Sequence, residues 1–321
     1  MSKIVILDGY AANPGDISWE PLKEFGEVVL YDRTKPEEVI ERISGADFVF
    51  TNKVPVTAES MDSCPTLKWI GVLATGYNIV DVAYAKEKGI PVTNIPAYST
   101  DTVAQNVFAH LFNITNRVAD HAASIRDGKW ARCKDFTFWD YPQMEMAGKT
   151  LGIVGFGSIG KKVASIARAF GMKVLVFTRT PDPSLECGDL SFCDKETLLK
   201  ESDVVSLHCP LTDATREMIN KESLALMKPT AILINTGRGP LINEADLAEA
   251  LKAGKIYGAG LDVLCKEPPE AGNPLFECEN CFISPHVSWA SDAARVRLHK
   301  IAFDNIRSFV EGKPVNVVNG L

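Results

Sequence analysis

The chain predicts an α/β protein built on doubly wound parallel sheets, and three observations predict it. Short apolar strands alternate with helical stretches, and this βα alternation implies parallel strands. The alternation runs twice, once before residue 95 and again from residue 149. A G-x-G-x-x-G at 155–160 stands directly between an apolar strand and an amphipathic helix. At 321 residues the chain has room for about two domains of roughly 150 residues each.

In the first series the strands are expected at 3–7, 27–31, 47–51, 68–72 and 91–94, with helices at 36–43 and 80–88, the latter stopped by Gly89. Residues 101–126 contain few breakers and repeat apolar side chains at helical spacing, so they predict one long helix with Thr100 or Asp101 as its cap. A polar, aromatic loop follows from Gly128 to Gly148, carrying Trp130, Phe136, Phe138, Trp139 and Tyr141. A loop of that length needs a surface to pack on, in this chain or in a second copy. The second series predicts strands at 150–154, 173–177, 203–208, 231–235, 258–263 and 282–284. Its helices are expected at 159–170, 221–226 and 244–253, with a final helix at 291–310.

Composition removes several classes. Hydrophobic residues make up 46% and charged residues 23%, enough apolar surface for a core and too much for a disordered chain. Lys and Arg number 34 against 41 Asp and Glu, a net charge of −7 without a basic block, which argues against nucleic acid as a partner. No apolar run approaches the roughly 20 residues a membrane span needs. An acid as early as Asp8 is unlike a signal peptide, so a cytoplasmic protein is expected. The eight cysteines are scattered and read as reduced thiols; Cys278 and Cys281 form a lone CxxC without the second pair of a zinc site. No metal site is expected.

The chemistry concentrates after residue 150. In the glycine motif, Gly155 allows the tight turn, Gly157 lets a pyrophosphate approach the backbone, and Gly160 lets helix and strand pack closely. The N–H groups of the new helix then face the phosphates. An acid that would bind an NAD ribose is missing about 20 residues on. Thr178 and Arg179 stand there instead, a pair suited to a 2′-phosphate, and Asp182 lies beyond Pro181. Arg238 sits between glycines in Asn235-Thr236-Gly237-Arg238-Gly239, after a strand, where its planar fork can grip a carboxylate. Asp262 and Glu267 follow the next strand, and His286 follows the one after. An imidazole beside a carboxylate is the arrangement that acid–base work requires. His110 and His299 read as ordinary helix residues.

Taken together, GFGSIG at 155–160, HCPLT at 208–212, NTGRG at 235–239, LDVLCKEPP at 261–269 and SPHVSWA at 284–290 resemble the D-isomer-specific 2-hydroxyacid dehydrogenases. The resemblance covers nearly the whole chain. It implies two Rossmann-like domains with the active site in the cleft between them. One would be a substrate domain split into 1–98 and 288–321; the other would be a dinucleotide-binding domain at 99–287. It further implies a homodimer built by the helix and loop at about 100–140, and NAD or NADP as cofactor. His286 would be the general acid, Glu267 its partner, and Arg238 the group that binds the substrate carboxylate. Cofactor contacts would come from Gly155, Gly157, Ser158, Ile159, Gly160, Thr178, Arg179, Cys209, Pro210, Thr215, Thr236, Gly237, Arg238, Asp262, His286 and Ser288. Substrate contacts would come from Lys53, Ala74, Thr75, Gly76, Arg238, His286 and Trp289.

Within the family the opening LDGYAANPGDISW, TNK at 51–53, FWD at 138–140 and Trp289 look most like the members that interconvert hydroxypyruvate and D-glycerate. A glyoxylate or pyruvate type is the alternative, and a nucleotide-sensing corepressor-like protein a more distant one. The intact Arg238, Glu267 and His286 set favours an enzyme.

Overall fold

The structure, a computed structural model, describes residues 1–321. The chain divides into two units, Met1–Ser99 with Ala290–Leu321, and Thr100–Trp289. No helix is long and apolar enough to cross a membrane.

The first unit is a five-stranded sheet of β1 (Lys3–Ile6), β2 (Glu27–Leu30), β3 (Phe48–Thr51), β4 (Trp69–Val72) and β5 (Val92–Thr93), ordered β2-β1-β3-β4-β5. All its pairings are parallel. β3 and β4 are buried at every position, which is why their sequences are continuous apolar runs. The ring of Trp69 meets Phe50 edge-on at 4.9 Å. The last helix, Asp292–Val310, starts on the Ser291 cap and brings Phe309 to 5.9 Å from Phe48. It also carries Asn305, whose Nδ2 donates to the Asn94 carbonyl. The C-terminal tail ties itself to β5: Asn319 accepts from Val92 N and donates to the Ile90 carbonyl.

The second unit holds seven strands: β6 (Thr150–Val154), β7 (Lys173–Phe177), β8 (Leu190–Phe192), β9 (Val204–Leu207), β10 (Ile232–Asn235), β11 (Gly258–Leu261) and β12 (Cys281–Ile283). Their order is β12-β11-β10-β9-β6-β7-β8, all parallel. The chain starts in the middle at β6, builds outward to β8, then returns to the other side of β6 with β9. That reversal is the topological switch point at which open α/β sheets bind ligands, outside the carboxyl ends of the strands.

The structure corrects the expected elements at several points. The single helix at 101–126 is two helices, Thr100–Asn116 and Val118–Arg126, because Arg117 takes a left-handed backbone with φ of +48°. Its guanidinium sits 4.5 Å from the ring centres of both Tyr141 and Phe282. Packing on distant rings breaks the helix where no glycine or proline marks a break. The structure adds β8 and helix Lys195–Glu201, which starts on the Asp194 cap, in the stretch after residue 177, where the sequence pattern predicts no element. It also adds helix Ala58–Asp62, closed by a Thr57–Ser60 capping box.

Candidate active site

Three neighbouring strands deliver the proposed catalytic side chains to one edge of the second sheet. β10 leads into Arg238, β11 into Asp262 and Glu267, and β12 into His286. His286 Nδ1 lies 2.6 Å from Glu267 Oε2. The other oxygen of Glu267 accepts from Leu264 N at 3.0 Å, so the carboxylate is aimed as well as placed. The side chains are 28% and 35% exposed, which leaves the pair open to a ligand.

The Arg238 turn is shaped by Asn235, whose fully buried side chain accepts from Gly237 N at 3.0 Å and donates to the Arg238 carbonyl at 2.9 Å. Gly239 then presses on the main chain at Leu264 and Cys265, where a Cβ would collide. The turn bearing Arg238 and the loop bearing Glu267 are therefore in contact. Arg238 itself is exposed, with Nη1 donating to the Gly237 carbonyl.

Asp262 organises the His286 loop. Its carboxylate, 1% exposed, accepts from Val287 N at 2.9 Å, Ser288 N at 2.8 Å and Ser284 Oγ at 2.5 Å. The His286 N–H points back at the Asp262 carbonyl at 2.8 Å. These bonds hold His286 at φ of +54°, a left-handed conformation that costs a non-glycine residue about 1–2 kcal/mol. Sequence reading names Asp262 as a cofactor contact and misses this clamp, because the acceptor and the loop it holds lie 22 to 26 residues apart.

The glycine motif closes β6 as its spacing requires. Gly155 has φ of +93°, and a Cβ on it would come within 2.6 Å of Cys209 N. At Gly160 a Cβ would collide with the Gly155 carbonyl, whereas at Gly157 it would meet open space. Gly157 caps helix Ser158–Ala169, so the N–H groups at Ser158 and Ile159 face an uncrowded turn. Across the switch point, Thr215 Oγ1 donates to the Pro210 carbonyl and secures the segment after Cys209. Burial pushes the Cys209 thiol up to about 11, so it stays protonated at neutral pH. Thr236 Oγ1, at the end of β10, is buried without a hydrogen-bond partner in the protein. An open cradle at Gly157 and an orphaned hydroxyl at Thr236, both on the carboxyl edge of the sheet, fit a bound dinucleotide.

At the end of β7, Thr178 is half-buried and Arg179 exposed without an ion pair. Asp182 is engaged locally, accepting from Ser184 N and Ser184 Oγ. Ser288 is buried and Trp289 half-buried just after His286.

The other proposed substrate residues lie at carboxyl ends of strands in the first unit. Lys53 follows β3 in a loop gripped by the buried Asp8 carboxylate, which accepts from the N–H groups of Asn52, Lys53 and Val54. Burial raises the Asp8 pKa, against the lowering effect of those three bonds. Ala74, Thr75 and Gly76 follow β4. The Ala74 carbonyl accepts from Ile95 N, the Thr75 carbonyl from Asn94 Nδ2, and Thr75 Oγ1 donates to the Ile95 carbonyl. These three bonds tie the loop after β4 to the segment at Asn94 and Ile95. Asp8, Asn94 and Asn235 are supports that sequence reading did not single out; an acid directly after the first strand was the one available signal.

Comparisons with known proteins identify the family. Residues 108–288 match the family model "D-isomer specific 2-hydroxyacid dehydrogenase, NAD binding domain". A hydroxypyruvate reductase of Blautia hydrogenotrophica is 49% identical over 320 residues, covering 99% of each chain. A glycerate dehydrogenase of Methylorubrum extorquens is 46% identical over 319 residues, covering 98% of each. Among solved structures, an acyclic imino acid reductase in complex with NADPH and D-Arg superposes with a TM-score of 0.86 at 33% identity, covering 98% of this chain and 99% of that one. With a family model spanning more than half of the sequence and relatives matching nearly all of it, the chain belongs to the D-isomer specific 2-hydroxyacid dehydrogenases, enzymes that work with a nicotinamide cofactor.

Proposed function

We propose that the protein interconverts hydroxypyruvate and D-glycerate with NADH or NADPH, with His286 as the general acid of the reductive direction. The observation that carries the acid–base role is the 2.6 Å contact between His286 Nδ1 and Glu267 Oε2. A carboxylate on Nδ1 leaves the proton of Nε2 for the substrate and stabilises the charged ring. The names and high identities of the Blautia and Methylorubrum relatives support the choice of substrate.

When bound, the nicotinamide supplies the hydride that reduces the ketone carbon. The chain's own residues do the rest. Arg238 takes the substrate carboxylate in its fork and places positive charge beside the carbonyl. His286 Nε2 gives its proton to the carbonyl oxygen, so no alkoxide accumulates. The partial exposure of the ring lets solvent return that proton after turnover. Lys53, Ala74, Thr75 and Gly76 are assigned as further substrate contacts, and Trp289 as the residue suited to a small hydroxymethyl group. Proton uptake matches hydride transfer one for one, so the reaction balances as keto acid plus hydride plus proton giving hydroxy acid.

The end of β7 suits either cofactor. Asp182 is committed to Ser184, and the exposed Arg179 offers positive charge to a 2′-phosphate. A homodimer fits the surface around 118–139, where Val118, Phe136 and Trp139 are 72%, 89% and 69% exposed. The cytoplasm is the compartment we assign, in keeping with eight free thiols.

The deciding assay follows absorbance of the reduced nicotinamide with hydroxypyruvate, glyoxylate and pyruvate, each with NADH and NADPH in parallel. Hydroxypyruvate is expected to give the highest kcat/KM. A clear preference for glyoxylate or pyruvate overturns the substrate, and no consumption with any of them overturns the enzymatic reading. Sedimentation in the same buffer should give about twice the 35.0 kDa chain mass, and a single-chain mass removes the dimer.

A further inference from the structure

Helix Thr100–Asn116 reaches the His286 loop through two side chains one turn apart. Ser288 Oγ donates to Asn106 Oδ1 at 2.8 Å, and His110 Nε2 lies 3.0 Å from Ser284 Oγ. Residues four apart share one helix face, so both contacts come from a single stripe. They bracket the acid: Ser284 stands two residues before His286 and Ser288 two after.

The proton count fixes the direction of the His110 bond. Ser284 has one hydroxyl hydrogen, and it goes to Asp262 Oδ1, because an ionised carboxylate only accepts. Ser284 Oγ must then accept, and His110 Nε2–H donates. The result is an ordered chain from His110 through Ser284 to Asp262, the same carboxylate that holds Val287 N and Ser288 N. The seat of His110 is built for it. The residue is 8% exposed, and a Cβ at Gly260 of β11 would come 2.7 Å from its Cβ, so the side chain lies where only a glycine leaves room.

We propose that Asn106 and His110 are positioning residues for the reaction, holding the two flanks of the His286 loop so that its imidazole stays on Glu267. This rests on the acid role given to His286 above. Neither side chain needs to touch substrate. Without them the left-handed backbone at His286 loses its outer supports, and the ring no longer delivers its proton along one fixed line. The effect falls mainly on the chemical step, because neither Asn106 nor His110 is among the cofactor contacts assigned above and the glycine turn after β6 is built from other strands.

The test uses the full chain with His110→Leu, His110→Gln, Asn106→Ala and, as a reference, His286→Ala. Four readouts are taken: kcat, KM for hydroxypyruvate, NADH affinity by fluorescence, and unfolding temperature. We expect kcat to fall about tenfold or more in His110→Leu and Asn106→Ala, the scale of a small misplacement of a catalytic group. KM and NADH affinity should stay within about twofold. His110→Gln should recover most of the loss, since its amide can donate to Ser284. Unchanged kcat in both variants, with His286→Ala inactive, overturns the positioning role alone. A loss that glutamine does not rescue and that tracks a falling unfolding temperature also overturns it. Wild-type turnover in His286→Ala overturns the acid role and the positioning role together. If His110→Leu does not fold, Asn106→Ala decides, because Asn106 is only partly buried.

Discussion

His286 and Glu267 meet at 2.6 Å although 19 residues separate them, and each arrives from a different strand end of one parallel sheet. Proton transfer from a placed acid contributes about 10²–10⁴-fold to rate. His286→Ala should therefore lose at least about a hundredfold in kcat while keeping its unfolding temperature. Glu267→Gln should also lower kcat, by less, because the amide can still touch the ring without stabilising its charge. Steady-state rates with thermal unfolding on the same samples check both.

Arg238→Lys is a sharper test of substrate recognition than Arg238→Ala. Lysine keeps the charge and loses the planar fork, so a bidentate contact becomes a single one. A hydrogen bond to a charged group is worth about 1.5–3 kcal/mol, so kcat/KM should fall about 10–100-fold. A lysine enzyme with wild-type kcat/KM would remove the paired grip on the carboxylate.

The glycines of the motif should separate into two behaviours. Gly157→Ala puts a methyl group into open space, so the fold should be unaffected. NADH should bind about tenfold more weakly, roughly one charge-assisted contact, because the methyl occupies the cradle. Gly160→Ala drives a methyl group into the Gly155 carbonyl and should destabilise the protein by about 1–3 kcal/mol before any cofactor is added. Thermal unfolding of the cofactor-free proteins distinguishes them, and equal destabilisation would contradict the geometry.

Acid should destabilise the fold through imidazoles that the fold desolvates. Burial holds the His208 pKa down to about 4, from an ordinary value near 6.5, and lowers those of His110 and His299 in the same direction. Below about 6.5 the unfolded chain takes protons that the folded rings refuse, so stability falls as pH drops from there toward about 4. Asp8, raised by burial, works in the opposite sense as the medium becomes more acid. Unfolding temperatures measured between these limits should decline, and the decline should be shallower in His208→Gln. An identical slope in that variant would show that His208 is not the group responsible.

Much of this protein is local, and that part is legible in the chain itself. Apolar runs bounded by turn residues define nearly every strand, since strands buried on both faces need continuous apolar sequence. The spacing of Gly155, Gly157 and Gly160 specifies a turn before any partner is known, because only backbone sterics are involved. Arg238, Glu267 and His286 could be picked out because each follows an apolar strand, where parallel sheets carry their ligands. Other features depend on partners far away in sequence. The helix break at Arg117 comes from rings at positions 141 and 282. The loop of His286 is held by Asp262, Asn106 and His110, and that of Lys53 by Asp8. Periodicity says which face of an element is apolar; a hydrogen bond across 44 or 182 residues exists only after the sheets have formed, so only the tertiary structure decides it.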